Sequence, residues 1–362
     1  VNGFGDSLSA VAGGLLAGGG LASIISEALD VSTLNTNIDI ALNLNEADAK
    51  AVRQSIMEVT SAIGDEEGAY EGVRRQITLN KNASIESNQE IITGASAIAR
   101  AYKEIDFKEL IQESFEIGKE LKISQKEALG LTNYLLSIGF PPEQLDIIAE
   151  YGSQLQRAGF DAEQVQGIFK AGVETGTWNI DNLLDGLKEG RIVATEFGQE
   201  LSDAQSEAID QAGLSVAQFE KWGKAIAQGG KAGNEAFVAM TRALDGVDDA
   251  TAKNTLGVEI FGTLYEDQGQ NIIDTILNME KSTISAGEAQ NKLNDDVAKL
   301  NADPAYQLDK AIGNLKQSFQ PLLDVVSSVI ADIANWASEN TTLVAILITI
   351  AGVIALLVGS LT

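Results

Sequence analysis

The chain of 362 residues contains no cysteine and no histidine. Without cysteine there is no disulfide framework and no thiol nucleophile, and the redox compartment stays open. Without histidine there is no Ser-His-Asp triad, no imidazole proton shuttle and no ordinary zinc site. Positive charge is scarce as well: 25 Lys and Arg stand against 52 Asp and Glu, a net charge of −27. Such a chain repels phosphate backbones, so nucleic-acid binding lacks its main source of affinity, and anionic lipid headgroups repel it for the same reason. What is present is length enough for two or three domains with ample core. The chain opens on Val1 rather than Met and stops inside an apolar stretch, so it reads as a piece of a longer polypeptide.

That stretch, Thr341 to Thr362, carries no charge. As a helix it reaches ~33 Å at ~1.5 Å per residue, enough for a bilayer core of ~30 Å. A membrane-spanning helix is the expectation, and a buried core helix is the alternative. Ala351, Ala355 and Gly359 recur at four-residue spacing, a small-residue stripe of the kind that lets membrane helices approach closely.

Residues 1–44 form an apolar, glycine-dense lead-in: Gly13, Gly14, Gly18, Gly19 and Gly20 interrupt Leu15, Leu16, Leu21, Ile24 and Ile25. Each glycine costs a helix ~1 kcal/mol relative to alanine, leaving a closely packed or membrane-active helix and a flexible leader both open. Ile38, Ile40, Leu42 and Leu44 alternate, the spacing of one short strand. From Asn45 the pattern turns helical. Asn45 is placed to cap a helix with Ala49, Val52, Ile56, Val59 and Ile63 on one face. Ile91, Ala95, Ile98, Tyr102 and Ile105 repeat that spacing, and Ser124 with Glu127 has the spacing of a capping box.

A weak repeat runs through the middle. Gly139-Phe140-Pro-Pro-Glu143-Gln144-Leu145 returns as Gly159-Phe160-Asp-Ala-Glu163-Gln164-Val165, with a looser echo at Gly213-Leu214-Ser215-Val216-Ala217-Gln218-Phe219. Each copy predicts a helix ended by a left-handed glycine, a hydrophobe packing back, and a new start at Pro141-Pro142, Asp161 or Ser215. Short helices joined by tight turns make a compact all-α domain rather than a long superhelix. Further on, Leu308, Ile312, Leu315, Phe319, Leu322, Val326, Val329, Ile333 and Trp336 follow alternating steps of four and three. A 3.5-residue period of this kind predicts helices wound around each other; one long helix packed on the domain is the alternative. Pro321 falls inside the seam and should kink or restart the helix. Asn340 takes the next seam position, to fix register or to cap the helix after it.

Chemistry-bearing motifs are few. Gly5-Asp6-Ser7-Leu8 spells an esterase nucleophile block, but that chemistry needs a histidine base. Phosphate-loop, dinucleotide and calcium-loop spacings are absent. Acidic pairs for glycoside cleavage are plentiful but carry no flanking motif, so a solvated face is the better reading. Trp178 and Trp222 sit beside glycines and are expected in the core or between helices. No catalytic residue, cofactor or metal is expected.

From Leu121 to Met279 the chain resembles the core of tail tape measure proteins of tailed bacteriophages and prophages, particularly of Gram-positive hosts. The likeness is carried by Glu150-Tyr151-Gly152-Ser153-Gln154-Leu155 with Ala158-Gly159-Phe160, by Asp185-Gly186-Leu187-Lys188-Glu189, and by Ala227-Gln228-Gly229-Gly230. Val258-Glu259-Ile260-Phe261-Gly262-Thr263-Leu264-Tyr265-Glu266-Asp267-Gln268-Gly269 and Asn271-Ile272-Ile273 complete it, in order and spacing. The resemblance implies a structural protein of the virion, lying in the tail-tube lumen, setting tail length and leaving ahead of the DNA to help open the host membrane. It implies several copies, as in a trimer, and tail tube and tip proteins as partners. A long coiled-coil rod and a peptidoglycan-cleaving domain, usual in the family, are missing from this piece.

The expected architecture is all-α: a helical region at 45–120, a tape-measure core domain at 121–302, an amphipathic, coiled-coil-prone helix at 303–340 and a C-terminal transmembrane helix at 341–362. The expected partners are further copies of the chain, the tail tube and tip, and the host membrane, with no specific nucleic-acid binding. Two other functions fit less well: a pore-forming toxin and, more weakly, a cell-wall hydrolase.

Overall fold

Short polar side chains start nearly every helix. The computed structural model describes residues 36–38, 40–199, 201–312, 314 and 339. Asn45 Oδ1 accepts from the Asp48 N–H at 3.0 Å and opens α1 (Glu46–Ile63), as its spacing predicts. Asp65 caps α2 (Glu66–Leu79), Ser84 caps α3 (Ile85–Ala101) and Asp106 caps α4 (Phe107–Leu121). Ser124 and Glu127 close the expected capping box on α5 (Gln125–Ser137). A single 3₁₀ turn (Pro142–Gln144) then leads into α6 (Asp146–Arg157). Asp161 and Gln164 form a second box on α7 (Ala162–Glu174), and Asn179 caps α8 (Ile180–Glu196). There follow α9 (Asp203–Gln211), α10 (Val216–Gln228), α11 (Gly230–Asp245), α12 (Ala250–Phe261), α13 (Leu264–Asn278) and α14 (Ala286–Ala302). A cap of this kind contributes ~1 kcal/mol by satisfying one of the orphan N–H groups at a helix start.

The three repeat copies end their helices in one way. Gly139, Gly159 and Gly213 sit at φ +106°, +105° and +69°. The amide of the next residue reaches back five positions, from Phe140 to Leu135 (2.9 Å), Phe160 to Leu155 (3.1 Å) and Leu214 to Ile209 (3.0 Å). This is the Schellman turn. Phe140 and Phe160 are buried, whereas Leu214 is half-buried, in keeping with its looser sequence match.

The chain divides into two units, one over Gln54–Gln307 and one made of Val1–Arg53 with Leu308–Thr362. The first is continuous across position 120. Its hub on one side is α4, packed on α2, α3, α5 and α6, and α5 lies along α14. Its hub on the other side is α8, packed on α13, α10, α12, α6 and α7. Both hubs are buried on apolar stripes: Leu110, Ile111, Ile117 and Leu121 on α4, and Ile180, Leu183, Leu184 and Leu187 on α8. Backbones approach closely where glycines face each other: a Cβ on Gly223 of α10 would lie 2.1 Å from the Gly198 amide nitrogen, so neither position accepts a side chain.

In the second unit, the described segments are helical where a strand is expected: residues 36–38 and 40–42 are helix. The burial explains the correction. Ile38 is fully buried, Leu42 half-buried and Ile40 79% exposed. At ~100° per residue positions 38 and 42 share a helix face and 40 opposes it, whereas a strand places all three together. Leu308 and Ile312 lie on helix and are 61% and 44% exposed. The remaining seam positions, Leu315, Phe319, Leu322, Val326, Val329, Ile333 and Trp336, lie outside the described residues, as do Asn340, Gly5-Asp6-Ser7-Leu8 and the lead-in up to position 35.

The expected fold class also requires correction. The described residues contain helices and no strand, but among them no helix is long and apolar enough to cross a membrane. Their longest, α1, carries Glu46, Asp48, Lys50, Arg53 and Glu58, charges a bilayer core rejects. The transmembrane element therefore does not stand as part of the fold class, which is all-α. Thr341 to Thr362, with Ala351, Ala355 and Gly359, lies outside the described residues.

Candidate functional site

The apolar stripe of α8 is interrupted once. Leu184, Leu187, Arg191 and Ala194 share a face, and all four are buried, Arg191 at 1% exposure. Its guanidinium donates from Nε to the Ala158 carbonyl (2.9 Å), from Nη1 to the Gly233 carbonyl (3.1 Å) and from Nη2 to Asn234 Oδ1 (2.6 Å). Phe160 and Phe237 lie over its plane, with ring centroids 4.9 and 5.3 Å from Cζ. No carboxylate pairs with it among the described residues. The charge is offset instead by the C-terminal end of α6, where Ala158 caps the helix and the dipole is negative, and by the two ring faces. Burial pulls Arg191 down to about 10, which still leaves it cationic at neutral pH.

The network extends outward. Asn234 Nδ2 donates to Gln164 Oε1, and the same oxygen accepts from the Asp161 amide at 3.1 Å to complete the cap of α7. Gly159 must lack a side chain here twice over: its φ is +105°, and a Cβ would stand 2.9 Å from Arg191 Nη2. The Gly229-Gly230 turn, at φ +72° and +62°, folds α11 back along α10 and delivers Gly233 and Asn234. Rings continue the core from Phe160 through Phe237 and Phe261 to Tyr265, at 6.1, 6.2 and 5.9 Å between centroids.

The segments that carry the family resemblance meet along α8. Tyr151 of α6 donates to Asp181 of α8 at 2.8 Å; burial first, then that bond, holds its hydroxyl well above the usual phenol range. Lys188 lies 5.6 Å from the Tyr151 ring and pairs with Asp185 at 2.6 Å. Gly186 receives Ile272 and Gly190 receives Phe261, so α13 and the end of α12 seat directly on α8. What unites these residues is close packing and hydrogen bonding. Among the described residues no group of three or more acids is placed to hold a metal.

Leu308 and Ile312 are not in this node. Of the tryptophans, Trp222 is half-buried and lies edge-on to Phe219 of its own helix at 5.3 Å, whereas Trp178 is 70% exposed in the α7–α8 loop and belongs to no core. Arg191 itself escapes a reading based on motifs. The available signal is a cation at a stripe position of an otherwise apolar helix face.

The geometry defines a class of fold: an all-helical body, among the described residues, knitted by a buried cation. No family model matches the chain, and no solved structure does. Two curated proteins are similar to it. Over 211 residues it is 25% identical to a "Probable tape measure protein" of Streptomyces phage phiC31, covering 55% of this chain and 28% of that protein. Over 139 residues it is 28% identical to the "Uncharacterized protein YqbO" of Bacillus subtilis (strain 168), covering 36% of this chain and 9% of that one. The chain thus spans well under a third of the length of either relative.

Proposed function

We propose that this chain is the folded core segment of a phage tail tape measure protein, a structural component of the virion and not an enzyme. The observation that carries the reading is the 211-residue similarity to the phiC31 protein. A body whose shared motifs are spent on packing suits a structural role. In this reading the longer polypeptide lies in the tail lumen, its length sets the length of the tube, and it leaves the tube ahead of the genome. Its partners are the tail tube and tip proteins and further copies of itself, joined along the seam from Leu308 to Trp336. A net charge of −27 leaves it without affinity for the DNA that follows.

The test is genetic. In-frame deletion of helical sequence elsewhere in the encoding gene should shorten tails in proportion, by ~1.5 Å per residue removed for extended helix. Tails of unchanged length, or virions lacking the gene product, would overturn the reading.

A further inference from the structure

A cleft of about 340 Å³ lies between the start of α4 and the turn that enters α6, and its charged lining is all of one sign. Glu104, Asp106, Glu109 and Glu113 border one side, Glu143 and Asp146 the other, and no lysine or arginine lines it. Two of these acids are satisfied locally: Asp106 accepts from the Glu109 amide at 2.9 Å and Asp146 from the Ile147 amide at 3.0 Å. Glu113 is not. It is half-buried on α4 with no hydrogen bond and no ion pair among the described residues.

We propose that this cleft is a proton-operated clasp, in which a neutral Glu113 lets α4 and the 141–146 turn close on each other and an ionised Glu113 drives them apart. The idea stands apart from the tail reading and rests on the cleft alone. Every charge acting on Glu113 is negative: Asp146 from α6, then Glu109 and Glu116 from its own helix. The other helices packed on α4, namely α2, α3 and α5, contribute none. Burial, reinforced by those three carboxylates, pushes Glu113 up from 4.5 to about 7. A raised carboxyl holds its proton more tightly in the closed state than in the unfolded one. Its contribution is therefore complete below 4.5 and is lost as pH rises to 7. The remaining acids of the lining are exposed.

The experiment follows urea unfolding of the full chain from pH 4 to 8.5, with amide hydrogen exchange read at each pH. The folding constant of the parent should fall by up to ~10-fold per pH unit between the two titration points and then level off. Exchange should rise first in segments 104–113 and 141–147, with the α10–α11 hairpin as internal control. Glu113→Gln should flatten the pH slope. Asp146→Asn, which removes the like charge that acts most on Glu113, should move the levelling point to lower pH and keeps the test alive if the first variant misfolds. A parent slope unchanged by both substitutions, or exchange that rises uniformly over the body, would overturn the clasp.

Discussion

Replacing Arg191 by methionine is the sharpest test of the node. Methionine keeps much of the aliphatic stem and removes the guanidinium. Three acceptors then lose their donor in a dry environment: the carbonyls of Ala158 and Gly233 and the amide oxygen of Asn234. An orphaned buried acceptor costs ~1–3 kcal/mol; the Gly233 carbonyl, inside α11, keeps its helical donor and loses less, and Asn234 can recover part of its loss by turning. The two ring contacts add ~1–2 kcal/mol when desolvated. Against this stands the cost of burying the cation, which the variant no longer carries and which makes apolar replacements of buried charges nearly neutral in some proteins. That relief is incomplete here, because two of the partners left behind are carbonyls fixed in backbone rather than a removable carboxylate. The net expectation is a loss of ~3–5 kcal/mol. In urea unfolding followed by circular dichroism, with a slope of ~3 kcal/mol per molar, the midpoint should drop by ~1–1.7 M. Arg191→Lys, which keeps the charge but not the planar fork, should recover less than half of the loss. A methionine variant within ~1 kcal/mol of the parent would refute the idea that the node knits these helices together.

Three other outcomes follow from single contacts. Gly190→Ala would place a Cβ 2.0 Å from a Phe261 ring carbon, so α8 and α12 must separate; calorimetry should show a destabilisation of ~1–3 kcal/mol, and an unchanged melt would mean the contact is looser than described. At α14, burial pushes Asp296 up, but hydrogen bonds from Lys292, Asn133 and Lys299 outweigh it and bring it down to about 2. Its stabilisation is present above the free value of 3.8 and lost as pH falls through 2; Asp296→Asn should cost ~2 kcal/mol at pH 7 and remove that part of the acid dependence in melts between pH 4 and 2. Finally, Leu315→Asp with Val326→Asp puts unpaired charges in the proposed seam at several kcal/mol each, and sedimentation of segment 303–340 should change from oligomer to monomer; a monomeric parent at high concentration would remove the seam from the proposal.

Most of the helical layout was legible because its signals are local. A Ser or Asp that caps a helix acts on an amide three residues away, and the turn at Gly159 ends α6 by bonds that reach back no more than five positions. Such interactions are written within one turn of chain, so Ser124, Asp161 and the repeated Gly-Phe turns announce themselves in sequence. The same locality misleads for Ile38 to Leu44: alternation over a few residues fits a strand, but a helix buries Ile38 and leaves Ile40 in water just as well. Trp178 was misplaced because a large apolar residue beside a glycine looks like core, and only the packing of its neighbours reveals that nothing covers it.

Composition and one-turn spacing are enough to make this protein helical, acidic and without histidine or thiol chemistry, because neither needs knowledge of what lies across the fold. Tertiary structure alone decided that Arg191 is buried. Its partners are supplied by Ala158, Gly233 and Asn234, which lie 33, 42 and 43 residues away along the chain. A cation enters a core only where carbonyls and ring faces converge to replace its water, and that convergence exists only once α6, α8 and α11 have packed.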